Sequence, residues 1–180
     1  GRNFCNKLWN ALRLVKGWQV SELPEDEAIV RKNELAVRWL REKLNRTLAD
    51  IEGDFKAFRL SEALLSLYAF MWDDFCSWYL EMIKPGYEQP IDRATYEATL
   101  DLFSEAMIAL HPFMPFLTEE IWHQLRERKP GDDCMLQRYP ATHNADESLI
   151  QAVEAAKDII TKIRDQRNQN QIKPRDPLSA

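Results

Sequence analysis

Glycine is scarce in this chain, five in 180 residues, where about 7% is usual. So few glycines, set among long charged–apolar alternation, exclude a fold of many tight β-turns and point to helices. Cysteine is sparse too. Cys5, Cys76 and Cys134 are an odd number with no CxxC pair, which excludes a disulfide scaffold and supplies no metal-site spacing. No apolar run approaches ~18 residues, so no transmembrane helix is expected. There is no initiator Met and no basic-then-apolar leader. The chain begins Gly1-Arg2-Asn3-Phe4, which already reads as the inside of a helix. The expectation is a piece of a larger protein from a reducing, cytoplasmic compartment. What is present is ample apolar material, 45% of residues, enough for a sizeable core in one domain or slightly more.

Charge is unevenly spread. The whole chain carries 24 basic and 29 acidic side chains. Residues 1–18 hold Arg2, Lys7, Arg13 and Lys16 and no acid. Residues 157–180 hold six bases (Lys157, Lys162, Arg164, Arg167, Lys173, Arg175) against three acids. The body between is strongly acidic, so a polyanion would be met by a patch and not by the whole surface. Solvated helix faces are the alternative reading of the same charges.

Helical periodicity runs through the chain. Phe4, Leu8, Ala11, Leu12 and Val15 form an apolar stripe, and Gly17 sits where that first helix would release the chain. Ser21 to Pro24 reads as a loop. A second helix places Leu35, Trp39, Leu40, Leu44, Leu48 and Ile51 inward and ends near Gly53. A third runs from about Phe58 to Lys84, with Leu60, Leu64, Leu67, Met71, Phe75 and Trp78 in step, and Pro85-Gly86 stops it. Asp92 suits the N-cap of a fourth. Pro112 and Pro115 must then break the helix, and Thr118 is expected to cap a short one. Residues 129–144 read as an irregular connection, and a last helix occupies about 146–168. The fold expected is an all-α helical bundle, with a bundle over 1–128, a connecting loop over 129–144, and a C-terminal helix and the start of an appendage over 145–180.

Catalytic constellations are missing. His111, His123 and His143 lie beside no cysteine or carboxylate at ligand spacing, and His111, before a proline, reads as structural. No GxxxxGK[ST], GxGxxG or GxSxG occurs. Asp73 and Asp74 are adjacent and point to different sides of a helix. The chain carries no catalytic, metal or cofactor site of its own on this reading.

One signal is sharper. Asn3, Asn6 and Asn10 lie on one short helix with Lys7 and Arg13, although asparagine is a poor helix former. Amides and guanidinium groups each make two hydrogen bonds in one plane and suit nucleic-acid base edges. Unpaired RNA loops are read that way, on splayed bases, while Lys7 and Lys16 would hold phosphates. Alternatively, the three amides cap or bridge neighbouring helices, and the spacing alone leaves both readings open.

The string Gly1-Arg2-Asn3-Phe4-Cys5-Asn6-Lys7-Leu8-Trp9-Asn10-Ala11 closely resembles the helix that follows the catalytic part of bacterial valyl-tRNA synthetases. His111-Pro112-Phe113-Met114-Pro115-Phe116-Leu117-Thr118-Glu119-Glu120-Ile121-Trp122 is similar to a later motif shared by the synthetases for valine, isoleucine and leucine. Phe75-Cys76-Ser77-Trp78-Tyr79-Leu80-Glu81 resembles a third segment of the family. The resemblance covers about residues 1–177 and implies the helical-bundle anticodon-binding domain of the class I, subclass a, synthetases. It implies that Asn6, Lys7, Asn10 and Arg13 meet the anticodon of valine tRNA, with Arg13 one residue early against the related methionine-enzyme pattern. The segment from Lys162 to Arg167 resembles the family's Arg-rich helix, which implies tRNA-backbone contacts from Arg164 and Arg167, with a solvated helix end as the alternative. Arg2 and Lys16 are further candidates for the backbone, and base stacking by Trp78 or Tyr79 is set against core packing. The parent enzyme would use ATP and magnesium, and its HIGH- and KMSKS-type signatures are absent here. Expected partners are valine tRNA and the catalytic and editing domains of the same chain, with no DNA, no membrane and a monomeric state. An isoleucine or leucine module, or a helical protein-interaction domain with no RNA role, are the competing readings.

Overall fold

The computed structural model describes residues 1–22 and 26–173. Leu23, Pro24, Arg175 and the rest of the tail lie outside the described residues, and with them part of the expected loop and appendage. The elements are α1 (Arg2–Lys16), β1 (Val20–Ser21), α2 (Glu27–Lys56), α3 (Leu60–Ala69), a π-helical segment (Phe70–Tyr79), α4 (Leu80–Ile83), β2 (Ile91–Asp92), α5 (Arg93–Leu110), α6 (Pro115–Leu125), a 3-10 turn (Cys134–Leu136) and α7 (Glu147–Gln169). They fall into two compact units: the first is Gly1–Ala145, and the second begins at Asp146 and carries α7. The fold is all-α, as expected.

The first unit is a bundle around α2. Trp39, Leu40, Leu44, Leu48 and Ile51 are fully buried on α2, against Phe75 and Tyr79 of the π-helical segment and Phe103 and Met107 of α5. The rings of Phe75 and Phe103 sit 4.7 Å apart. Burial of this kind contributes roughly 1.5–3 kcal/mol for each large side chain. Leu35, expected inward, is about half exposed, because the buried positions of α2 run Asn33, Ala36, Trp39 and Leu40 and pass it by. Buried Lys43 meets buried Asp74 at 3.0 Å, and Arg41 meets Glu105 nearer the surface. Two-residue strands β1 and β2 pair in parallel, Val20 with Ile91 and Ser21 with Asp92, and tie the exit of α1 to the start of α5.

Helix ends explain where elements stop. Asp92 caps α5, its carboxylate accepting from the Thr95 amide at 2.7 Å. Gly53 does not end α2, which continues to Lys56. The stop lies at Phe58, in the left-handed region at φ 57. There the Phe58 amide donates to the Phe55 carbonyl at 3.1 Å and the Arg59 amide to the Asp54 carbonyl at 2.8 Å. This is the Schellman arrangement, with phenylalanine where glycine is usual. Thr118 does not cap α6. Pro115 opens that helix with the fixed φ of its ring, and Thr118 lies buried in the first turn. Its hydroxyl donates to the Met114 carbonyl at 3.0 Å and lies 2.8 Å from His111 Nδ1, which gives His111 its structural role.

Candidate nucleic-acid interface

The apolar stripe of α1 is buried, so its 3.6-residue period turns the opposite face outward. Asn3, Asn6, Asn10 and Arg13 are all exposed on that face. Among the described residues none of these four side chains makes a hydrogen bond or ion pair. Surface amides that bridged helices would be bonded to them, so the bridging reading loses its basis here.

Two concavities flank the row. One, of about 450 Å³, is lined by Asn3, Asn6, Lys7, Asn10, Ala11, Leu14, Cys76 and Leu80. The other, of about 620 Å³, is lined by Asn6, Trp9, Asn10, Leu12, Arg13, Lys16 and Gln124. Asn6 and Asn10 belong to both and form the ridge between them. Each therefore offers a planar donor–acceptor pair beside apolar wall, the arrangement that fixes the orientation of a flat ligand. Cys76, Leu80, Trp9 and Gln124 were not identified as site residues from the sequence. Only Trp9 carried a usable signal, an aromatic group between two amides on the same helix. Burial pushes the Cys76 thiol up to about 12, partly opposed by the nearby Lys7 charge, so this wall is neutral at physiological pH.

The basic residues divide. Arg2 and Arg13 are exposed. The Lys16 ammonium donates to the Leu125 carbonyl at 3.3 Å, at the C-terminal end of α6, where a cation is favoured. Lys7 is half-buried and lies 4.2 Å from the centre of the Trp72 ring. Arg164 and Arg167 lie together in the second unit, beside Ile160, Ile163, Asn168 and Ile172. The Arg167 guanidinium donates to the Lys173 carbonyl at 2.8 Å.

Tyr79 is not available for stacking on a base. It is completely buried, its hydroxyl paired with Thr99 at 2.7 Å, because position 79 faces α5 and not the α1 groove. Trp78 is half-buried. The reading of the histidines also needs correction: His123 Nε2 lies 3.2 Å from both Glu119 and Asp133. Glu119 is one helical turn away, and the loop after α6 delivers Asp133. Glu119 also accepts from the Cys134 and Met135 amides, so these groups satisfy one another and fasten the 3-10 turn to α6.

The family described as the anticodon-binding domain of tRNA ligase matches residues 37–180. The whole chain is similar to curated valine–tRNA ligases. That of Parabacteroides distasonis is 48% identical over 181 residues, covering 99% of this chain and 20% of that protein. That of Porphyromonas gingivalis is 48% identical over 170 residues, 93% of this chain and 19% of that protein. The Fusobacterium nucleatum protein is 35% identical over 195 residues, 100% of this chain and 21% of that protein. The chain thus spans about a fifth of the length of the curated relatives it matches.

Proposed function

The chain belongs to the anticodon-binding domain family of tRNA ligases, and from that premise we propose that it is the part of a valine–tRNA ligase that reads the anticodon loop of valine tRNA. The relatives named above, all valine–tRNA ligases, support valine over isoleucine or leucine. The observation that carries the site is the row of Asn6, Asn10 and Arg13, exposed and without a partner among the described residues, beside two concavities that Asn6 and Asn10 both line.

In this reading Asn10 presents its amide edge to the unstacked middle adenine of the anticodon. Arg13 stacks or pairs beside it, and Asn6 serves the neighbouring base. Arg2, Lys16, Arg164 and Arg167 would attract the backbone, supplying affinity without sequence information. The whole protein would attach valine to its tRNA in the cytoplasm with ATP and magnesium. The described residues do not suit those groups: the one cluster of ligand-type side chains, Glu119 with His123 and Asp133, is mutually satisfied, and the chain has no phosphate-binding loop. The role of this part is to hold the anticodon arm so that the distant acceptor end is oriented for reaction.

Substituting Asn10→Ala tests the assignment. A bidentate base contact is worth about 1–3 kcal/mol of discrimination. The variant should therefore lose about fivefold or more in its preference for a valine anticodon stem-loop over a copy altered at the middle base, with its thermal midpoint kept. An unchanged preference would remove Asn10 from the base-reading role. Sequence-indifferent binding by both proteins would favour a helical interaction domain.

A further inference from the structure

Lys7 stands in the middle of the amide row, yet it points into the molecule. Its ammonium lies 4.2 Å from the centre of the Trp72 ring and donates to the Ser77 hydroxyl at 2.8 Å. The Ser77 hydroxyl in turn donates to the Trp72 carbonyl at 2.8 Å. Trp72 and Ser77 are five residues apart inside the π-helical segment Phe70–Tyr79. The spacing matters. A π-helix bonds residues five apart, where an α-helix bonds residues four apart, so the widened turn carries Ser77 over the Trp72 carbonyl. It also leaves Cys76 and Leu80 on the wall opposite Asn6 and Asn10.

Trp72 has an aromatic neighbour too. Its ring stacks on Tyr68 at 5.6 Å, nearly parallel, and Tyr68 stacks on Phe4 at 4.7 Å. Phe4 and Lys7, three residues apart and so on one face of α1, close on the Tyr68–Trp72 pair from its two ends. An apolar stripe alone is non-directional and permits rotation or sliding of a helix. A cation over a ring and a directed hydrogen bond fix both.

We infer that Lys7 is a positioning residue, a latch that seats α1 on the π-helical segment through Trp72 and Ser77 and so sets the register of Asn6 and Asn10, and that it does not contact RNA phosphate. The positioning part rests on the anticodon reading proposed above; the latch itself does not.

The variants Lys7→Ala, Ser77→Ala and the double substitution separate the possibilities. Two readouts are needed: the thermal midpoint, and binding of a valine anticodon stem-loop and its middle-base variant across a series of salt concentrations. The latch predicts that each single variant lowers the preference between the two RNAs by about two- to tenfold, the span expected for one lost hydrogen bond. It also predicts that the salt slope stays at the wild-type value and that the double variant is no worse than the poorer single one in either readout. A phosphate contact predicts that Lys7→Ala weakens both RNAs alike, with a salt slope smaller by about one, while Ser77→Ala does nothing; that result overturns the inference. Strictly additive midpoint losses also overturn it. Coupled midpoints with an undiminished preference overturn the positioning role. If the wild-type chain prefers neither RNA, the anticodon reading is what fails, and the coupling of the midpoints alone decides the latch.

Discussion

Asn6, Asn10 and Arg13 are defined by what they do not do: they make no hydrogen bond or ion pair among the described residues, whereas Lys7 and Lys16 of the same helix are bonded. Asparagine weakens a helix because its side chain competes for the backbone, so three in fifteen residues is a burden that packing does not explain. That much was legible from residue types. The burial of Tyr79 was not, since a ten-residue π-helical segment changes which positions face α1 and no sequence period signals it. Asp92 shows the opposite use of a polar side chain. Burial raises its carboxyl pKa, but hydrogen bonds from the Thr95 amide and side chain and from Asn33 more than offset this and hold it below the ordinary value. A carboxyl depressed in the folded state stabilises above the ordinary aspartate range near 4 and loses that contribution as pH falls through it. Asp92→Ala should cost about 1–2 kcal/mol at neutral pH. The gap to wild type should narrow in unfolding experiments below about pH 4, and a gap independent of pH would contradict the assignment.

Among the elements, the boundary of α2 is the most instructive. The end expected near Gly53 lies at Lys56, because Gly53 is exposed inside the helix, where it merely lowers propensity. The actual stop uses Phe58 in a left-handed conformation, with the ring 90% exposed. A side chain there is strained by roughly 1–2 kcal/mol, and so little of it is buried that packing cannot compensate. Phe58→Gly should accordingly raise stability by about 1 kcal/mol in denaturant titration; a loss of stability would mean that the ring is held by a contact within the molecule. Two other boundaries were legible for physical reasons: Asp92 caps α5, and Pro85-Gly86 follows the end of the long helical rod. The start of α6 was legible only as a break, since Pro115 opens the helix where a cap at Thr118 was expected. The segment after α6 was less legible, because its order comes from single long-range bonds, such as the Trp122 indole N–H donating to the Asp132 carbonyl at 2.8 Å.

For the whole molecule, the periodic stripes were sufficient to give an all-α bundle, because each helix has one apolar face and only a bundle buries them all. Among the described residues no helix is long and apolar enough to cross a membrane. The family match begins at residue 37, beyond α1, so it concerns the scaffold; the amide row rests on the residues themselves. The basic start of the chain, set against an acidic middle, puts favourable charge beside that row. The most direct measurement is therefore wild-type binding, at one stated salt concentration, to valine tRNA and to the same tRNA changed only at the middle anticodon base. Base reading by α1 predicts at least about fivefold weaker binding to the altered RNA. Equal binding to both, falling together as salt rises, would contradict it.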